Sequence, residues 1–457
     1  MVLWVLAAVA VLAAGFSLPA WLPGLVIGLR ERIFVWINGA EGIPVPGPLV
    51  GAEHFERLYG DPAADGRSRG AGLSDLFWYW LAPGPQLHQE HLEPGERYRT
   101  VARITRQVLA IPSRPAADLA TRCAARVLDD LPRRELARVR LRDLMMPIWA
   151  QVYYEVVFGE RCPPVAERLI VANADDVVTA LKGCGLRHLG RRDRLTRYLR
   201  ARLAAGELPV RLPEPEFSAQ ETVWYLQGAF FNTAVVQMSE AMAHLMLAIA
   251  QHPQVQQGLV KDLDDEAALD RVIDETLRVH PLFGIAHRIT SAPIELAGVG
   301  TLPAGSVLLF NYLAFQRTGP AADSNFDPDR WNVLKRRDAH FIPFGVTANR
   351  ACPARGVAPV MMRAVAREML RRYALASSVA HTRSLPSRGP CLLIRRGADR
   401  GEGEQAVPRA RLAGMRWRDR WENVGRSLIQ LVLGTYMVWD ARRQRLCGKY
   451  FEEVAEC

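Results

Sequence analysis

Phe341-Ile342-Pro343-Phe344-Gly345-Val346-Thr347-Ala348-Asn349-Arg350-Ala351-Cys352-Pro353 runs from an apolar, strand-like entry through a glycine turn to a single cysteine. An amphipathic helical pattern from Val357 to Leu375 follows. A thiolate placed there would gain from the partial positive charge and free amide hydrogens of a helix N-terminus, which lower a thiol pKa. Arg350, two residues earlier, offers a cation to balance a nearby anion. Read alone, Cys352 is better explained as a small buried side chain.

Two upstream segments change that balance. Glu275-Thr276-Leu277-Arg278 lies in a helical run, Asp262–Val279, where i and i+3 share a face and form a charge-assisted pair. Asp327-Pro328-Asp329-Arg330-Trp331 sets a second arginine in a turn-rich stretch. Two arginines on one carboxylate are costly to bury unless every charge is paired. An axial sulfur kept ionised, with an arginine for a propionate, is what a haem-thiolate site requires.

In this order the three segments resemble the cytochrome P-450 superfamily over roughly residues 42 to 396. Its ExxR motif corresponds to Glu275 and Arg278, its Pro-Glu-Arg-Phe segment to Pro328–Trp331, and its cysteine loop to Phe344–Cys352. Ala286-His287-Arg288-Ile289-Thr290 and Leu302-Pro303-Ala304-Gly305 are similar to its β-region. The resemblance implies a mainly α fold with a small β region, and haem b (iron protoporphyrin IX) with Cys352 as metal ligand. It also implies Arg350 and Arg288 at the propionates, Phe344 in the loop, and Glu275, Arg278 and Arg330 as the lock beneath the haem. The activity implied is that of a haem-dependent monooxygenase acting on paired donors. It would insert an atom of dioxygen into an apolar small-molecule substrate, with electrons from a separate NAD(P)H-linked partner. No Gly-x-Gly-x-x-Gly follows a strand, so the chain carries no dinucleotide fingerprint of its own.

The sequence departs from the family in three places. The cysteine loop is one residue longer than usual between Phe and Cys, and Ala354 replaces the glycine after Cys352. The family's Trp-x-x-x-Arg falls on Tyr98 and Ala102; Arg99 and Arg103, four apart, either form a solvated basic face, the favoured reading, or share the propionate role. In the expected distal helix, Glu221–Gln251, the family's Ala-Gly-x-Asp/Glu-Thr-Thr falls on Thr233–Met238, or on Phe231-Asn232 in a register slipped by five. Neither register supplies the acid–alcohol pair that delivers protons to iron-bound dioxygen. Gln237 and Asn232 are the candidate catalytic residues, each able to hold a water. The same lack leaves open a haem-thiolate isomerase, dehydratase or peroxygenase, or a non-enzymatic haem-binding scaffold.

The 457 residues, 49% hydrophobic and 23% charged, exclude disordered, collagen-like and disulfide-scaffold classes. Seven widely spaced cysteines without a CxxC pair indicate a reducing compartment. The net charge of +10 is spread in Arg-rich stretches without a nucleic-acid signature, which fits an anionic membrane or an acidic redox partner. Residues 1–29 contain no Asp, Glu, Lys or Arg and are long enough to span a bilayer, although Pro19 and Pro23 are expected to kink or end the helix. Arg30, Glu31 and Arg32 follow, so the positive-inside rule keeps the body cytoplasmic. The expected organisation is a transmembrane anchor over 1–29, a Pro-rich linker over 30–49, a haem-thiolate domain over 50–397, and a basic amphipathic extension over 398–457. Pro44, Pro46 and Pro48 are expected to forbid a helix or a central strand in the linker. Gly401–Glu404 reads as a joint to the extension, whose Trp417, Trp421, Val424, Leu428 and Leu431 share a helix face. That face either docks on the protein's own surface or lies in the membrane interface.

Overall fold

A computed structural model describes every residue except 1, 40, 133, 208, 211, 213–215, 283, 382–387, 397–406 and 457, and only the backbone at 2–3, 5–13 and 455–456. The expected joint at Gly401–Glu404 lies outside the described residues.

The body is built around one apolar helix. Ser218 starts it with a reciprocal cap: its Oγ accepts the Glu221 amide and its own amide donates to the Glu221 carboxylate. The helix runs through Ala219–Tyr225, a wider π segment at Leu226–Ala234, and Val235–Gln251. Its length and hydropathy would suit a membrane span, yet most of it is buried inside the protein. Leu141–Phe158 packs along it, contributing Trp149, Tyr153 and Tyr154, which are essentially fully buried with Phe230 and Phe231. Ala358–Arg372 packs on Ser113–Asp129 and touches the central helix near its C-terminal half. A helix apolar on all sides is one that neighbours enclose.

The β content is three small sheets. Val307–Asn311 is central to one, pairing antiparallel with Ile285–Ile289 and parallel with Ile43–Val45. The last of these lies at the sheet edge, in keeping with the expectation that the prolines exclude a central strand. Pro44 is tolerated because it lies on an edge, where a missing N–H breaks no second ladder. Leu136–Arg140, Pro390–Arg395 and Tyr373–Ala376 form the second sheet, and Ile294–Leu296 with Gly300–Leu302 the third.

Glu275 is wholly buried in the helix Glu266–Val279. Arg278 donates to it through Nε (2.9 Å) and Nη2 (2.7 Å), and Arg330 through Nε (3.1 Å). The Asp327 amide (2.9 Å) and the Trp331 indole N–H (3.1 Å) complete the set. A phenylalanine in the place of Trp331 could not make that last bond. The remaining guanidinium hydrogens of Arg278 reach the carbonyls of Ala321, Asp323 and Asn325. One carboxylate thereby pins a helix to the irregular chain that leads into the cysteine loop.

The N-terminal helix does not end near Leu29. It runs from Val2 to Asn38 with Pro19 and Pro23 inside it, so residues 30–38 are helical rather than linker. The reason is tertiary: residues 27–37 line a groove of about 370 Å³ shared with Gly434, Thr435 and Val438 of the extension, which supports the added turns. The extension forms Arg409–Ile429, a π segment Gln430–Gly434, Thr435–Gln444 and Leu446–Glu456. It docks on the body: Met437 and Ala441 are buried with Leu76, Tyr79 and Ala180, and Tyr79 donates to Asp440 (2.9 Å). Asp75 accepts the amides of Cys447 (3.0 Å) and Gly448 (3.2 Å), capping the last helix. Val424 is buried, while Trp417, Leu428, Ile429, Val432 and Trp439 remain exposed.

Removing either Glu275 or Arg278 leaves a buried charge without its partner. Glu275→Ala and Arg278→Ala are each expected to cost about 3–5 kcal/mol and give little soluble folded protein. Trp331→Phe, which removes one hydrogen bond to a charged group, is expected to cost about 1.5–3 kcal/mol and still fold. Soluble yield and denaturant midpoints check both; normal yield of the alanine variants would show the pair to be of no structural weight.

Candidate functional site

The cysteine loop takes its shape from two residues in the left-handed region, Gly345 (φ 75°) and Arg350 (φ 55°). The Cys352 amide donates to the Phe344 carbonyl (3.0 Å), which closes the longer loop on itself. Asn349 ties it outward, donating through Nδ2 to the carbonyls of Asp61 (3.2 Å) and Ala64 (3.3 Å). In return, the side-chain and main-chain oxygens of Asn349 accept from Arg288 at 3.4 and 3.3 Å. Phe344 packs at the edge of the main core.

Cys352 is half-buried, and its sulfur accepts a hydrogen bond from the Ala354 amide. The helix that was expected to lower its pKa begins only at Ala358. Burial therefore prevails and pushes the thiol up to about 11, against the pull of the Ala354 amide and Arg355. A sulfur in this balance ionises when a metal ion takes the place of its proton.

Beside the loop lies a nest of buried cations from distant parts of the chain. Arg67 donates to the carbonyls of Glu90 (2.5 Å) and His287 (2.8 Å) and pairs with the Glu90 carboxylate (2.8 Å). Arg288 is almost wholly buried, its guanidinium over the Tyr59 ring at 4.5 Å. Arg350 stacks over Tyr98 at 4.0 Å and donates to the Gln89 carbonyl (3.3 Å). Among the described residues, the Arg67–Glu90 contact is the one ion pair any of the three makes. Arg350 Nε and Nη2, Arg288 Nε, His88 Nε2 and His91 Nδ1 are buried without a partner. Burial, then the nearby Arg67 and Arg288 charges, lower the Arg350 pKa to about 10. Burial also holds His88 down at about 4 and His287 at about 3, so these imidazoles are neutral.

Unpaired buried guanidinium groups are expensive, and the donors left over here call for acidic oxygens. A haem fits: its two propionates would meet Arg67, Arg288, Arg350 and His91, with Cys352 as the axial ligand. Of the residues read from the sequence, Cys352, Arg350, Arg288 and Phe344 are brought together in this way. Glu275, Arg278 and Arg330 bond to one another and to backbone, and so act as positioning residues. Arg99 and Arg103 do not join the nest. Both lie toward solvent, and Arg103 pairs with Glu216. The helix Glu96–Leu109 turns Tyr98 inward instead, under Arg350.

Arg67, His88 and His91 had no local signal in the sequence, since only the folded chain gathers residues so far apart. His88 lies against the central helix: a Cβ on Gly228 would come within 2.5 Å of its Nε2, so glycine is what admits the ring. Asn232 is buried and Gln237 half-buried, on either side of the end of the π segment. Neither side chain has a hydrogen-bond partner among the described residues.

Comparison with known proteins bears on this arrangement. The cytochrome P450 family model matches residues 213–395. The pentalenene oxygenase of Streptomyces avermitilis is 35% identical over 99 residues, 18% of this chain and 22% of that protein. The methyltetrahydroprotoberberine 14-monooxygenase of Papaver somniferum is 28% identical over 176 residues, 33% of this chain and 32% of that one. The matched stretch thus spans between about a fifth and a third of these relatives' length. In fold the agreement is wider. CYP175A1 of Thermus thermophilus superposes with a TM-score of 0.60 at 18% identity, over 83% of this chain and 98% of that one. A six-coordinated cytochrome P450, also of Thermus thermophilus, gives 0.58 at 19%, over 75% and 91%. The family model begins where the chain enters the central helix and ends in the strand Pro390–Arg395, taking in Glu275, Arg288, Arg330 and Cys352 together; over those residues the chain matches the cytochrome P450 family, and its fold is that of the cytochrome P450 structures.

Proposed function

We propose that the protein is a haem-thiolate monooxygenase that inserts one atom of dioxygen into an apolar organic substrate and reduces the other to water. Two electrons, delivered one at a time, come from a separate NAD(P)H-linked redox partner. The observation that carries this reading is the nest of three buried arginines beside Cys352, with donors left over and one carboxylate to balance them.

Bound haem supplies the iron at which dioxygen is activated. The chain's own residues do the rest. Cys352 would hold the iron through its sulfur, and the Ala354 amide donated to that sulfur would draw off part of its charge. Arg67, Arg288, Arg350 and His91 orient the macrocycle by its carboxylates, and the Tyr59 and Tyr98 rings hold two of the guanidinium planes. The central helix excludes bulk water. Asn232, Gln237 and His88 are the polar groups along it that we assign to holding a water near the reacting oxygen. An amide is no general acid, and His88 is neutral near pH 7, so proton delivery is slow. A peroxide-driven or reductant-independent reaction on the same haem is the second reading, favoured by the absence of a carboxylate from Asn232–Met238.

We also assign residues 1–29 to a membrane anchor with the body on the cytoplasmic side, supported by the uncharged run and the Arg30 and Arg32 flank. The apolar side chains that the docked extension leaves exposed, Trp417, Leu428, Ile429, Val432 and Trp439, add an interfacial contact.

Cys352→Ala is expected to abolish the strongly red-shifted Soret band of the reduced carbonyl complex, while Cys352→His keeps haem with an altered ligand field and potential. A native spectrum in Cys352→Ala would assign the sulfur elsewhere. Product formed per NAD(P)H consumed should be low in the unmodified protein, and Val236→Asp with Gln237→Thr should raise it. Tight coupling before the change would place the proton relay in groups other than these. Deleting residues 1–29 should move most of the protein out of the membrane fraction, with a remainder held by the extension; an unchanged distribution would remove the anchor assignment.

A further inference from the structure

Away from the cysteine loop, three histidines from separate elements converge. His244 is on the central helix, His280 follows the end of the Glu275 helix, and His381 lies beyond the strand Tyr373–Ala376. One ring nitrogen from each falls within a sphere in which all three lie within 4.8 Å of one another. His244 Nδ1 and His381 Nδ1 are 3.2 Å apart, and His381 Nε2 is buried without a partner. Three imidazoles at such range have no use for one another as hydrogen-bond partners beyond a single N–H between two of them.

We propose that His244, His280 and His381 form a binding site for a divalent transition-metal ion of the zinc class, separate from the haem. Three lines of chemistry agree. Imidazole is the preferred nitrogen ligand of Zn²⁺, and three with an open fourth position is a known donor count. Tetrahedral bonds of about 2.0–2.1 Å put ligand nitrogens about 3.3 Å apart, close to the separation of His244 and His381. A neutral imidazole is the ligating form, and the 3.2 Å contact between His244 Nδ1 and His381 Nδ1 requires at least one of these two nitrogens to carry no proton. Glu240, one turn before His244 on the same helix, is already shared by Lys182 (2.6 Å) and Arg142 (3.1 Å), so the ion's charge would be balanced by a ligand in the open position.

The His280 and His381 rings are stacked 3.7 Å apart and 4° from parallel, and must splay for both lone pairs to meet one ion. The ion would join the central helix, the Glu275 helix and the segment leading to the closing strand. Because binding energy in such a site is also folding energy, its effect should be on stability rather than turnover. The inference does not rest on the monooxygenase reading.

The test uses the full-length haem-loaded protein, stripped with a chelator and titrated with Zn²⁺, with zinc and iron counted separately by mass spectrometry. We expect about one zinc per chain beyond the iron, a raised melting temperature, and a nitrogen-only first shell with imidazole scattering in zinc-edge X-ray absorption. His244→Gln and His381→Gln should keep the Soret band while zinc affinity falls about tenfold or more. No zinc retained at micromolar concentrations, sulfur in the first shell, or unchanged affinity in both variants would each overturn the site. The absorption experiment needs no variant, so the outcome does not depend on either one folding.

Discussion

The Glu275 carboxylate organises the structure on which the site depends. Five donors from four residues converge on it, and it is completely removed from water. Desolvating a carboxylate costs several kcal/mol, and only a full set of partners offsets that loss. The arrangement is therefore all-or-none. It fixes the helix Glu266–Val279 against the irregular chain around Asp323–Trp331, and that chain leads directly to Phe341 and the cysteine loop. A region with little regular hydrogen bonding is held by charge where ladders are absent. Trp331 adds to the set a bond that an aromatic hydrocarbon could not make.

The nest beside Cys352 is the opposite case. Its guanidinium groups are buried without enough carboxylate, and several of their hydrogens have no acceptor. Near-complete satisfaction around Glu275 and evident deficit around Arg288 and Arg350 belong to the same fold. The physical reading is that the first is structural and the second awaits a ligand with acidic oxygens. The Cys352 thiol carries the same message, since burial keeps it protonated until a cation displaces the proton. Cation–π contacts with Tyr59 and Tyr98 hold the arginines in place meanwhile.

The two ends of the chain meet on one side of the body. Residues 27–37 of the N-terminal helix share a groove with the extension, and the extension clamps the helix Gly72–Leu81 through Asp75 and Tyr79. Trp78 also packs against Tyr450, with ring centroids 5.1 Å apart. The outward apolar side chains of both segments then lie beside each other, which accounts for the persistence of helix beyond Leu29. A linker expected from its charges and prolines is shortened because packing against the extension stabilises the intervening turns.

Local patterns in the sequence determined a good deal. The periodicity of the long helices, the Glu275–Arg278 spacing and the single cysteine before Pro353 depend on near neighbours, and all were legible. Short apolar runs bounded by turn residues carry their own signal too, as at the strands Val307–Asn311 and Pro390–Arg395. What depends on long-range approach was not legible. Pro44 could join a strand only because an edge position was vacant beside Leu309. Arg67, His88 and His91 reach the site from elements distant in sequence, and Arg99 and Arg103 face solvent because the helix Glu96–Leu109 turns Tyr98 inward. Whether Cys352 is ionised was set by burial rather than by the helix after it. Near-neighbour chemistry dictated which segments could form and which charges must pair. Which of those charges stay unpaired emerged only on folding, because pairing is a matter of distance across the fold.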